Sequence, residues 1–447
     1  MADAATERRI RPLVAGQRRE GAATTEVRDR TSGEVFATVA AGDPELLESA
    51  ADAARAAVPT ELETGVVQRA DWCGAVADAL RDDTAGLADA LVREVGVPIT
   101  SARAEVATAA SEFDRVADTV RALTGKYRTW TTESGAGDNS LVTAAPLGAV
   151  QCRPRRRAPL ASAARQVAPA VAAGNGVVLT PPATGAVTVS MLARTLSEHL
   201  PADAVGLVPG LDDDRERDTV DGVLDAEPTT GVTRVRQRVG GGAATLVFPD
   251  ADLDTAADAI TAGGPDAVER RLAGTSRVFA HTEIQADLLE RIDARLDDWT
   301  AGDLFAETTS VAPMADTAAV ERLSYYLDDA VSKGATVVRG GEADGLTVEP
   351  TLLADVPSDA ALARVSNPAP VVTVTPFESD GDALERASAA GPAQTISVFT
   401  ERHSLAMTVA DAVDAGTVRV GGEDADRAVG GARAAIERLT HTKRVVQ

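Results

Sequence analysis

Most restrictive for the folding of this 447-residue chain is the alternation, from residue 148 onward, of short apolar runs with amphipathic helical segments. GAVQCRP, a helical segment at 158–173, GVVLTPP, a helical segment at 185–199 and AVGLVPG follow one another. Parallel strands need a crossover of about a dozen residues or more, so a strand–helix–strand succession of this kind builds a parallel sheet. A second series begins near residue 243: ATLVF, a helix at 251–262, RVFAH, helices at 282–298 and 318–333, ATVVRGG and VVTVTPF. The chain is therefore read as α/β. Before these series, residues 11–41 read as short strands bent at Thr31-Ser32-Gly33, and helices are predicted over 44–57, 66–82, 84–95 and 98–123. Asp43 followed by Pro44 is a cap and a first helical residue. Residues 126–147 carry aromatic residues and threonines on either side of a Gly/Asp/Asn turn, a hairpin pattern. The tail from 432 reads as a helix followed by KRVVQ, a strand expected to pair outside its own domain.

Charge excludes whole classes of partner. Sixty-eight acidic against 44 basic residues leave a net charge of −24, which repels nucleic-acid backbones. Lysine occurs only at Lys126, Lys333 and Lys443, so arginine carries nearly all the positive charge. Such a surface suits high salt, where hydrated carboxylates are screened from one another. Cys73 and Cys152 are the only cysteines and the four histidines are isolated, so neither a disulfide framework nor a metal centre is expected. No apolar leader or membrane span stands out, and a soluble protein in a reducing cytoplasm is expected.

Ten blocks in order resemble the aldehyde dehydrogenase superfamily: APLGAV (145–150), VAPAVAAGNGVVLTPP (167–182), GLVPG (206–210), GGGAATLVFPDADLDTAADAI (240–260), TSRVFAH (275–281), AVSKGATVVRGGE (330–342), EPTLL (349–353), PAPVVTVTPF (368–377), ISVFT (396–400) and AGTVRV (415–420). With the EVGVP turn at 94–98, the resemblance spans essentially the whole chain. It implies a Rossmann-like nucleotide domain over 1–125 and 148–242, a second α/β domain over 243–425, and a β-hairpin oligomerisation arm over 126–147 and 426–447. It also implies NAD(P) and five chemical parts: a thiolate nucleophile, an oxyanion-binding asparagine, a general-base glutamate, and a lysine and second glutamate on the ribose hydroxyls.

Carried across position by position, the resemblance finds each part replaced. Leu272 stands at the nucleophile, Arg238 at the general base and Arg157, within Arg155-Arg156-Arg157, at the oxyanion asparagine. Thr180 stands at the ribose-binding lysine, Ala183 at its neighbouring glutamate and Ser366 at the second ribose glutamate. Between Gly210 and Gly240 no Thr-Gly-Ser phosphate loop occurs. Thr275 and Ser276 are hydroxyls without a base, poor nucleophiles for an aldehyde.

The replacements are themselves cationic. Arg155, Arg156 and Arg157, with Arg153, lie in one turn, and Arg234, Arg236 and Arg238 alternate along one face of a strand. They are read as a possible anion site built from Arg155, Arg156, Arg157, Arg236 and Arg238, because guanidinium forks bind carboxylates and phosphates bidentately; pairing with local Asp and Glu, such as Asp212–Asp214, is the plainer use of the same residues. Two functional classes stay open. One is a catalytically inactive homologue, structural, regulatory or anion-binding, needing no cofactor and assembling with itself or with an active paralogue. The other is an NAD(P)-dependent aldehyde oxidoreductase, aldehyde to carboxylic acid, with a site outside these positions.

Overall fold

A computed structural model describes residues 8–123, 126–131, 137–211, 222–225, 243–262, 275–364, 369–389, 393–421 and 432–446. Residues 1–95, 102–237 and 430–447 form one unit, and 96–101 with 238–429 a second.

The first unit opens with β1 (Arg8–Ile10), β2 (Leu13–Val14), β3 (Gln17–Arg18), β4 (Ala23–Arg28) and β5 (Val35–Ala41). Helix α1 (Pro44–Asp82) starts where the Asp43 carboxylate accepts the Leu46 N–H at 2.8 Å, with Pro44 in its first turn. The two helices expected over 44–57 and 66–82 are both present within α1, parted at Gly65, whose φ of 74° and ψ of 171° are outside helical space and suit only glycine. Helices α2 (Thr84–Val95) and α3 (Ile99–Arg121) follow, then β6 (Lys126–Thr131), β7 (Gly137–Pro146) and β8 (Ala149–Arg153). The expected alternation comes next: α4 (Pro159–Ala173), β9 (Gly176–Leu179), α5 (Ala186–His199), β10 (Val205–Leu207) and β11 (Gly222–Asp225). They build a six-stranded sheet of order β11-β8-β9-β10-β2-β3, parallel from β11 to β10. Helix α1 lies close on it: a Cβ at Gly176 would come within 2.2 Å of the Ala54 carbonyl oxygen.

The second unit holds β12 (Ala243–Val247), β13 (Thr275–His281), β14 (Thr336–Arg339), the small hairpin β15 (Ala343–Asp344) and β16 (Thr347–Val348), β17 (Thr351–Ala354), β18 (Val371–Phe377), β19 (Ala393–Phe399) and β20 (Ala415–Val420). Seven of these form a sheet of order β14-β17-β18-β13-β12-β19-β20, parallel except for β14. Successive residues of β13 feed opposite cores. Val278 and Ala280 pack with Ile260, Leu288 and Ile292, while Phe279 packs with Phe248, Phe377 and Val409. Burial on both faces holds even the threonines of ATLVF and VVTVT, Thr245, Thr373 and Thr375, inside the unit.

The terminal strand joins the hairpin segment. β21 (Thr440–Val446) pairs antiparallel with β7 of the same chain, which pairs with β6 on its other side. Both strands belong to the first unit, whereas β20, the strand that precedes β21 in the chain, belongs to the second. The buried Asn175 side chain explains the anchorage: its Nδ2 donates to the Leu439 and Ala170 carbonyls at 3.0 and 3.2 Å, and its Oδ1 accepts the Gly148 N–H at 3.0 Å.

Candidate functional site

Parallel strands present their C-terminal ends and following loops on one edge, and ligands of open α/β sheets bind where the strand order reverses. In the first unit the chain runs from β8 through β9 to β10 on one side and places β11 on the other side of β8. The reversal therefore lies at the C-terminal ends of β8 and β11, where Arg153 is in register with Asp225. The loop leaving β8 there is Pro154–Ala158. It carries the three consecutive arginines, Arg155 and Arg157 half-buried and Arg156 exposed.

This loop is held from below. The Arg155 N–H donates to Ser162 Oγ at 2.9 Å, and Ala158 takes a left-handed conformation (φ 51°, ψ 50°) that turns the chain into α4. The first free N–H groups of α4 are not left for a ligand. Glu105 Oε1 accepts those of Leu160 and Ala161 at 2.9 and 3.2 Å. Helix α5 is treated in the same way by Glu94, a residue 1% exposed. Its Oε1 accepts from the Gly185 and Val187 N–H groups at 2.8 and 2.7 Å, and its Oε2 from the Thr188 N–H and hydroxyl at 2.9 and 2.7 Å. Burial pushes this carboxyl above the usual range, and the Thr188, Val187 and Gly185 donors pull the other way. Neither glutamate stands out in the sequence. The only trace is a carboxylate set in apolar surroundings near a helix end, as in LVREVGVP.

Thr180 lies at the end of β9, 8% exposed, and its hydroxyl is consumed inside the sheet. It accepts from Gln151 Nε2 at 3.0 Å and donates to the Cys152 carbonyl at 3.4 Å. A short, neutral, internally bonded side chain does not fit as the ribose-holding cation that the resemblance implies for NAD(P). Leu272, Arg236, Arg238 and Ser366 lie outside the described residues, so of the expected positions the structure places Arg155, Arg156, Arg157, Thr180 and Ala183.

Both thiols are buried cores of the first unit: Cys73 in α1 and Cys152 in β8. Burial alone pushes the Cys152 thiol far above its ordinary value, which leaves it protonated and inert. Among the described residues no group of His, Cys, Asp and Glu is arranged to hold a metal ion. None of their helices is long and apolar enough to cross a membrane. In the second unit the DADLD segment is structural: Asp252 accepts the Asp254 and Thr255 N–H groups, both at 3.0 Å, and caps the helix Leu253–Thr261. Arg277 of the TSRVFAH block is 4% exposed. It donates to the Ala363 carbonyl at 3.2 Å, and its Nε has no hydrogen-bond partner among the described residues.

Comparison with known proteins agrees with this architecture. The family model for the aldehyde dehydrogenase family matches residues 17–436. A betaine aldehyde dehydrogenase of Rhizobium leguminosarum bv. trifolii is 27% identical over 414 residues, covering 87% of this chain and 83% of its own length. A 3,6-anhydro-alpha-L-galactose dehydrogenase of Streptomyces coelicolor is 30% identical over 435 residues, covering 89% and 85%. Among solved structures, the NADP-dependent glyceraldehyde-3-phosphate dehydrogenase of Bacillus halodurans, complexed with NADP, superposes with a TM-score of 0.89 at 21% identity, over 98% of this chain and 99% of its own. A match over nearly the whole length, on a fold with the same two-sheet α/β build, places this chain in the aldehyde dehydrogenase family.

Proposed function

We propose that this chain is a family member that has given up thiol-dependent aldehyde oxidation and serves as a structural, regulatory or anion-binding protein. One observation carries the reading: the chain has no cysteine after Cys152, and the two it has are buried in α1 and β8. Acyl transfer to sulfur requires a thiolate that an aldehyde can reach; both thiols are buried out of reach, and burial also keeps that of Cys152 protonated. Leucine at 272, arginine at 238 and 157, threonine at 180 and serine at 366 agree with the loss of the nucleophile, base, oxyanion donor and ribose contacts. In this reading residues 126–147 and 426–447 form an arm that builds a homo-oligomer, or a hetero-oligomer with an active paralogue. Deleting 442–447 exposes the β7 edge and changes the oligomeric mass in light scattering.

The relatives favour a second reading. They are named as dehydrogenases, and the Bacillus halodurans structure is complexed with NADP, which supports NAD(P)-dependent oxidation of an aldehyde to a carboxylic acid through residues other than those above. Calorimetry with NAD(H) and NADP(H) in high salt, alongside aldehyde turnover in the same buffer, separates the two. The first reading expects no turnover; saturable binding with turnover overturns it and establishes the second.

A further inference from the structure

Arginines of the second unit that face carboxylates are held charged by them. Arg295 beside Asp258 and Asp254, Arg339 beside Asp297 and Asp293, and Arg402 beside Asp380 are all pushed above the ordinary value by those partners. Arg277 goes the other way. It is 4% exposed, burial pulls it down, and no carboxylate among the described residues offsets that pull. Taking a guanidinium out of water is costly unless an anion or a full set of acceptors replaces the lost hydration.

Its place in the sheet accounts for the burial. Arg277 stands in β13 between Ala244 of β12 and Thr373 of β18. Thr275 faces Ala243, so the register slips by one residue at Ser276, and an irregularity of this kind re-aims the side chain that follows it. Two residues on, along the same face, Phe279 enters the core with Phe248 and Phe377. One terminal nitrogen, Nη1, is used on the Ala363 carbonyl of the short helix Ala361–Arg364 at 3.2 Å. The other edge of the group is formed by Nε and Nη2, and Nε is buried with no hydrogen-bond partner among the described residues. Two parallel N–H groups on such an edge match the two oxygens of one planar anion.

We propose that the Nε–Nη2 edge of Arg277 binds a small planar monoanion with two adjacent oxygens, a carboxylate of formate or acetate size. One negative charge balances one guanidinium, and two oxygens satisfy both N–H groups at once, which a spherical halide does less well. Flanking strands on both sides and the core around Phe279 limit the anion to a few heavy atoms. Bound there, it neutralises the one buried cation of β13 and secures the strand to the helix Ala361–Arg364. The site goes beyond both functional readings, since Arg277 is none of the positions on which they differ.

The test is equilibrium dialysis of the full chain against radiolabelled formate at constant ionic strength. Binding saturates at one formate per chain, and nitrate, planar with paired oxygens, displaces it at lower concentration than chloride does. Arg277→Met, neutral and of similar length, and Arg277→Lys, charged but without the fork, each weaken binding at least tenfold, about 1.4 kcal/mol. Arg322→Gln, an exposed position on the helix Thr317–Ser332, binds as the wild type. Circular dichroism checks that each variant is folded. A second measurement needs no variant: a crystal of the wild-type chain grown in formate shows planar density within hydrogen-bond reach of Nε and Nη2, and it decides the matter should the Arg277 variants not fold. Absence of saturable binding, a folded Arg277→Met that binds formate as tightly as the wild type, or a crystal with a protein acceptor or water on that edge would overturn the proposal.

Discussion

Replacing Glu94 probes the device that seats α5 on the first unit's sheet. In Glu94→Ala, the N–H groups of Gly185, Val187 and Thr188 and the Thr188 hydroxyl lose their acceptor in a site that is 1% exposed. A buried donor left unmade costs about 1–3 kcal/mol, and fraying of the first turn recovers part of it, so the sum is roughly 4 kcal/mol. For a unit of this size about 2 °C accompanies each kcal/mol, so the melting temperature falls by roughly 8 °C. Glu94→Gln keeps Oε1 for Gly185 and Val187 but turns an amide N–H toward that of Thr188, one conflict costing about 2 kcal/mol. The expected order in calorimetry and urea unfolding is wild type, then Gln, then Ala. The pH dependence has a definite sign. Because burial raises the folded-state pKa, this group's contribution is fully present below its unfolded value, near 4.3, and is lost as pH rises through the folded value. The wild-type advantage over Glu94→Gln therefore shrinks as pH climbs. Both variants falling within about 0.5 kcal/mol of the wild type would refute the capping argument.

Three further outcomes follow from the same geometry. Asn175→Ala removes three buried hydrogen bonds, costs about 3 kcal/mol, and strips hydrogen-exchange protection from β21 ahead of β8 and β9; uniform loss of protection would argue against a specific anchor. Gly176→Ala drives a Cβ to within 2.2 Å of the Ala54 carbonyl, and since the atom met is backbone, a loss of roughly 3 kcal/mol should appear in denaturant titration. Iodoacetamide in native buffer should alkylate neither Cys73 nor Cys152, both fully buried, and should modify both in urea; rapid native labelling of either would reopen the thiol route.

Legibility of the fold follows from how local each signal is. The parallel series was readable because strand, crossover and strand succeed one another in the chain, and because Asp43-Pro44 and Asp252 mark helix starts with residues only a few positions away. The break between the helices expected over 44–57 and 66–82 is local in the same way, since Gly65, at its end, takes a conformation that glycine alone adopts freely. The candidate site was legible in one respect: side chains needed for thiol chemistry are absent from a sequence wherever they are absent from a structure. Thr180 shows the limit, for nothing in LTPP says that its hydroxyl turns inward to Gln151 and the Cys152 carbonyl.

The sequence by itself determined the α/β class, the acidic surface, the confinement of both thiols to the first 152 residues and the run of three arginines, because each is a matter of order or count along the chain. Only the tertiary structure decided that Glu94 reaches α5 and Glu105 reaches α4, that Asn175 holds the C-terminal segment, and that the arginine loop stands where the strand order reverses. Those contacts join residues from 55 to 264 positions apart. Their partners are chosen by packing and by the demand of buried polar groups for hydrogen bonds, neither of which leaves a periodic mark in the sequence.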